Sequence, residues 1–236
     1  MQVVYEDNHL LIVSKQSGEI VQGDKTGDTP LSEMVKEYIR EKYHKPGNVF
    51  VGVVHRLDRP VSGLVCFART SKALSRLDKM FRDGEVHKIY WAIVDKSSAL
   101  HQDDDRITPD GQTELTHWLV RNEKQNKSYA YDHEVPRSKK ATLRYRVISS
   151  SDRYMLLEIR LLTGRHHQIR CQLAAIGCPI KGDLKYGARR SNPDGSISLL
   201  SRHVSFVHPV SRKEVVVDAP LPVDRLWQVL TESVKK

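Results

Sequence analysis

The amino-acid sequence predicts an α+β fold: a mixed, mostly antiparallel sheet with helices packed around it. Two observations carry this expectation. Segments that read as strands outnumber those that read as helices, and the two kinds do not alternate strictly as a doubly wound parallel sheet would require. Strand-like segments also dominate from His87 onward.

The elements follow in order. Residues 3–5 and 10–13 flank Glu6-Asp7-Asn8-His9 and read as strand, turn, strand. Asp28-Thr29-Pro30 opens a helix, with Thr29 as the expected cap and Pro30 at the first helical position; Leu31, Met34, Val35, Tyr38 and Ile39 share one face. Lys45-Pro46-Gly47-Asn48 breaks the chain before a valine-rich run. Thr70 or Ser71 caps a second helix, with Ala73, Leu74, Leu77, Met80 and Phe81 toward the core and Asp83-Gly84 at its end. Strands are expected near residues 88–94, 115–120, 129–132, 141–148, 154–161 and 199–206. The polar segment 96–111, with Asp103-Asp104-Asp105, reads as a surface loop. A helix is expected over 166–176, and an amphipathic helix from near Pro222, carrying Leu226, Val229 and Leu230. No internal repeat or low-complexity segment is evident.

Composition narrows the function classes. With 236 residues, 39% of them hydrophobic and 28% charged, the chain is an ordinary globular protein. No apolar run reaches the roughly 18 residues that would cross a bilayer. The N-terminus has neither a basic start nor a long apolar segment, so no signal peptide is expected. Cys66, Cys171 and Cys178 are too few and too scattered for a disulfide framework or a standard zinc site, which fits a cytoplasmic setting. The net charge of +9 suits a polyanionic partner, because each neutralised phosphate releases counterions. No long exposed apolar stripe is evident, and a monomer with no membrane contact is expected.

The densest chemistry lies in His55-Arg56-Leu57-Asp58-Arg59-Pro60-Val61-Ser62-Gly63-Leu64, where one carboxylate sits between two guanidinium groups. Opposite charges favour the ionised form of Asp58, and an ionised carboxylate fixed at a strand end can serve as nucleophile or base. For an arbitrary sequence a structural ion pair would be the better explanation of such a run. The pair His166-His167 has no Asp, Glu or Cys partner at ligand spacing, and adjacent helical positions point apart, so no metal is expected.

Three segments together resemble the RluA-type pseudouridine synthases. HRLDRPVSGLVCFA, residues 55–68, is similar to the family signature HRLDxxTSGxxxxA. KIYWAIV, residues 88–94, is similar to its KxYxAxV strand. LTGRHHQIRCQLAAIGCPIKGDLKYG, residues 162–187, is similar to TGRTHQIRxHLAxxGxPIxGDxxYG. The opening VVYEDNHLLIVSKQSG echoes YEDxxLLVVxKPxG. The resemblance implies the pseudouridine synthase fold, a curved sheet with a central cleft, as one catalytic domain over residues 1–236 with no separate N-terminal RNA-binding domain. It implies RNA, a transfer or ribosomal stem-loop, as substrate, and no cofactor.

By the same resemblance Asp58 is the catalytic carboxylate, which either attacks the nucleotide or removes a sugar proton. Arg165 pairs with that carboxylate, and Tyr90 packs against the target uracil, with Leu161 on the other side of the base. Arg56 either fills the space left by a flipped base or only braces Asp58; both readings stand. Arg59, Lys139, Lys140 and Arg170 are expected, with other surface cations, to meet the RNA backbone, although a run of charges is more often a solvated face. His55 reads as a structural hydrogen-bonding residue. The sequence departs from the family pattern at Gln16, Val61, His166 and Gln172. An RNA-binding protein with vestigial catalysis, and a hydrolase that releases the base, are the rival readings.

Overall fold

The computed structural model describes residues 1–96, 108–232 and 234. Most of the expected polar loop, 97–107, lies outside the described residues. The described chain forms eleven strands and four α-helices, which divide into two compact units: residues 1–88 with 201–220, and residues 89–200 with 221–236.

In the first unit β1 (Gln2–Glu6), β2 (Leu10–Lys15), β4 (Ser62–Ala68) and β10 (Leu199–Val207) follow one another across the sheet. The two-residue β3 (Gly52–Val53) adds to β4, and β11 (Glu214–Asp218) adds to β10. Every residue of β2 and nearly every residue of β4 is buried. Strands covered on both faces read as unbroken apolar runs, as Leu10–Val13 and Leu64–Ala68 do. Helix α1 (Leu31–Lys42) buries Leu31, Val35 and Ile39. It begins one residue later than expected: Pro30 is the cap, and no side chain caps the helix. Backbone carbonyls do that work, with Leu31 and Ser32 N–H donating to Ile20 and Val21 at 2.8 and 3.2 Å. Helix α2 (Ser71–Asp83) is capped as expected by the Thr70 hydroxyl, which accepts from Ala73 N–H at 3.2 Å, and it ends on Gly84 at φ 76°.

In the second unit the strand order is β5 (His87–Asp95), β9 (Tyr154–Leu161), β8 (Lys139–Ser150), β6 (Thr113–Asn122), β7 (Lys127–Tyr131), every neighbour antiparallel. Burial alternates along β6, so Leu115, His117 and Leu119 face inward while Thr116, Trp118 and Val120 face the other side. Helix α3 (Gln168–Ala175) is shorter than expected, because His167 at φ 52° lies outside it as the cap. Its residues from Gln168 to Leu173 are all buried, and Cys171 packs with Leu119, Ala141 and Tyr186. Helix α4 (Arg225–Glu232) is capped by the Asp224 carboxylate, which accepts from Leu226 and Trp227 N–H. It buries Trp227, Leu230 and Thr231, leaving Val229 exposed where the sequence placed it inward.

No helix among the described residues is long and apolar enough to cross a membrane.

Candidate active site

Asp58 sits in the first unit on the loop between β3 and β4. The loop alternates: Leu57 and Val61 point inward, Arg56 and Arg59 outward, and Asp58 is half-buried between them. A turn closes where Val61 N–H donates to the Asp58 carbonyl at 3.0 Å. The segment after β2 then clasps this turn. The Lys15 ammonium, with no solvent exposure, donates to the carbonyls of Gln16 at 3.0 Å, Arg59 at 3.0 Å and Val61 at 2.5 Å. Gly18 N–H reaches the Arg59 carbonyl at 2.9 Å, and the Ser17 hydroxyl the Pro60 carbonyl at 3.3 Å.

Three carbonyls satisfy the three donors of an ammonium, so Lys15 is a strut under the Asp58 turn. Burial pushes its pKa down to about 8, against the opposing pull of Glu19 and Asp58. Sequence reading passed over Lys15. The only available signal was a lysine ending an apolar run, which is where a buried cation needs carbonyl partners.

Two further residues of the same motif find structural explanations. His55 stacks on Phe81 with ring centres 4.8 Å apart, and its Nε2 accepts from Cys66 N–H at 3.0 Å. Burial, and then the nearby Lys88 charge, push its pKa down to about 3, so the ring is neutral and holds β4 in place. Gly63 has φ +113°, and a Cβ there would lie 2.3 Å from the Ser201 carbonyl oxygen. The backbone of β4 passes too close to Ser201 for any side chain.

Tyr90, Leu161 and Arg165 lie in the second unit. Tyr90, on β5 opposite Ile159, is buried among the inward residues of that sheet. Leu161 ends β9 opposite Leu143. Arg165 is exposed, on a loop latched to β8 by two side chains. Thr142 N–H donates to the Thr163 hydroxyl at 2.9 Å, and that hydroxyl donates to Gln168 Oε1 at 2.8 Å. The same oxygen accepts from Arg165 N–H at 2.9 Å, while Gln168 Nε2 donates to the Thr142 carbonyl at 3.1 Å. Arg165 Nε donates to the Lys140 carbonyl at 3.1 Å, fixing the base of the guanidinium. The Thr-Gly-Arg-His-His-Gln spacing therefore builds a rigid perch for one arginine.

Several expectations need correction. Arg170 does not lie on the surface: its side chain is 6% exposed and makes a two-point pair with Asp183 at 2.6 and 2.8 Å, over the Tyr186 ring. The reason is that α3 has no solvent face along this stretch, and a buried guanidinium requires a carboxylate. Arg59 pairs with Asp28 on an exposed surface. His166 and His167 do not diverge along a helix. They precede it, stacked at 3.8 Å, with His166 between Ser128 and Asn126 and His167 Nδ1 at 2.9 Å from the Tyr186 hydroxyl. Lys139 and Lys140 are exposed at the start of β8, and Lys140 Nζ lies 6.0 Å above the Trp118 ring. Among the described residues no group of three or more His, Cys, Asp or Glu could hold a metal ion.

The chain resembles known proteins along most of its length. The profile of the family described as RNA pseudouridylate synthase matches residues 9–175. The chain is 31% identical to ribosomal large subunit pseudouridine synthase D of Zymomonas mobilis, across 95% of this chain and 70% of that protein. It is also 31% identical to ribosomal large subunit pseudouridine synthase C of Vibrio cholerae, across 98% and 68%. Among solved structures the fold is similar to human RNA pseudouridylate synthase domain containing 4, with a TM-score of 0.74 and 19% identity over 99% of this chain and 93% of that one. Human RNA pseudouridylate synthase domain containing 1 aligns with a TM-score of 0.66 and 19% identity, over 100% and 95%.

Proposed function

The chain belongs to the RNA pseudouridylate synthase family, and from that membership we propose that it isomerises uridines in structured RNA with Asp58 as its catalytic carboxylate. As a pseudouridine synthase it is an isomerase. The N1 bond from uracil to ribose breaks, the base turns, and it rejoins through carbon 5, whose hydrogen leaves as a proton while N1 takes one up. Redox is balanced within the one nucleotide.

The observation that carries the reading is the loop at Asp58: a half-buried carboxylate on a turn whose carbonyls are clasped by a buried ammonium. Pre-set geometry of this kind is what either chemical route needs, addition of the carboxylate to the nucleotide or removal of a sugar proton. Tyr90 is proposed as the aromatic beside the uracil with Leu161 opposite, and Arg165 as the guanidinium of the site. The exposed Arg56 is proposed to enter the stack that the target base leaves. Exposed Lys139 and Lys140 are proposed to meet the phosphates, and Arg170 is not, because its charge is spent on Asp183.

The names of the two relatives make large-subunit ribosomal RNA the first substrate to offer, with transfer RNA second. The test uses RNA tritiated at carbon 5 of uridine. Wild type is expected to release tritium and leave pseudouridine in the digest, and Asp58→Ala to release none while still binding RNA. Equal release by both proteins would remove Asp58 from the chemistry. Free uracil in place of pseudouridine would make the protein a hydrolase.

A further inference from the structure

The hairpin of β6 and β7 has one face taken and one face open. On the inner face Leu119 and Ala130 pack with Ala141, Cys171 and Tyr186. On the outer face the register sets Tyr131 against Trp118, Tyr129 against Val120, and Lys140 against Trp118 from the other side. Tyr129 and Tyr131 are 39% and 41% exposed, on a strand at the end of the strand order. Their neighbours are cations: Lys127 Nζ stands 5.5 Å from the Tyr129 ring centre, and Lys140 Nζ 6.0 Å from that of Trp118. Between Thr113 and Arg146 there are eight Lys and Arg residues against four Asp and Glu, and Glu114 on the same face is already paired with Arg144 at 2.9 Å.

We infer that this outer face of β6, β7 and β8 is a stacking platform for an unpaired RNA segment. The inference rests on the RNA-modifying reading above and deepens it by assigning a second contact region on the second unit. Three aromatic rings bordered by cations match both parts of a single strand, since bases present π faces and the backbone is anionic.

The spacing favours single over double strands. Residues two apart on a strand stand about 6.8 Å from each other, about twice the 3.4 Å rise between stacked bases of one duplex strand. Successive rings therefore suit bases that have come apart. The Tyr129 hydroxyl donates to Gln125 Oε1 at 2.5 Å, which holds its ring in place before any base arrives.

The test measures fluorescence anisotropy of a labelled ten-nucleotide uridine-rich single strand and of a blunt RNA hairpin, with the full chain. Tyr129→Ala/Tyr131→Ala is expected to bind the single strand about tenfold or more weakly. Tyr129→Phe/Tyr131→Phe, which keeps the rings, should bind the single strand within about twofold of wild type, and affinity for the hairpin should differ little among the three proteins. Thermal melts confirm that each variant folds. In wild type, a photocross-link from 5-bromouridine should map to Tyr129, Tyr131 or Trp118.

Equal affinity of the alanine pair and wild type for the single strand would overturn the platform. So would loss of self-association in that pair with RNA binding intact, which would give the face to a second copy of this chain. These binding results do not depend on turnover, so loss of tritium release in Asp58→Ala and loss of single-strand binding in the tyrosine pair succeed or fail separately.

Discussion

A single lysine illustrates how the site is supported. Lys15 donates to three carbonyls of its own unit, two of them in the turn that follows Asp58. Replacing it by Met keeps the volume and removes every donor, leaving the buried Val61 carbonyl without its ammonium at about 1–3 kcal/mol, while the Arg59 carbonyl keeps the Gly18 N–H. Lys15→Met is therefore expected to lower the melting temperature and to cut kcat more than KM, read by thermal melts and steady-state tritium release. The pH dependence follows from linkage. The folded pKa of about 8 lies below the free value of 10.5, so the unfolded chain holds more protons between these values and the Lys15 contribution to stability grows as pH rises through that window. The stability of wild type relative to Lys15→Met should thus increase from pH 8 to 10.5, measured by urea unfolding, and a flat difference would remove the buried charge from the account. His55 shows the companion case at low pH, where a neutral buried ring loses its stabilising contribution as pH falls from 6.5 toward about 3.

At the scale of elements, α3 and the loop before it act as one part. The same stretch holds the Arg165 perch, through Thr163 and Gln168, and the internal strut, through Arg170 and Asp183. Arg170→Ala would leave the Asp183 carboxylate, 1% exposed, without its guanidinium. The expected cost is about 3–5 kcal/mol, seen as a fall in the urea midpoint. RNA affinity measured under folding conditions should change little, because the guanidinium faces inward.

Most of this architecture was legible in advance. The cap at Thr70, the stop at Gly84 and the periodic face of α1 are local, so residues three or four apart declare them. β3 escaped notice because two residues carry no periodicity. The α3 boundary slipped because His167 adopts a left-handed conformation, which nothing in its residue type requires.

At the scale of the molecule, the candidate residues fall in two units described separately: Asp58 and Arg56 in one, Tyr90, Leu161 and Arg165 in the other. Each unit has its own buried core and its own latch, Lys15 under the Asp58 turn and Gln168 under the Arg165 loop. The net charge of +9 adds a property of the whole chain. RNA affinity is expected to fall steeply with salt, by roughly a thousandfold between 50 and 200 mM if about six phosphates are neutralised. A titration at four salt concentrations measures the slope, and a slope near zero would deny the phosphate contacts.

The sequence by itself determined the family, the strand-rich fold and the identity of the candidate carboxylate, since these follow from ordered motifs and local periodicity. Only the tertiary structure decided what each charged side chain does. Lys15 and the Arg59 and Val61 carbonyls are 44 and 46 residues apart, Arg59 pairs with Asp28, and Arg170 closes on Asp183. A cation's role depends on whether it is buried and on which acceptors the folded chain brings to it. Periodicity reports which face is apolar and cannot report a partner far along the chain.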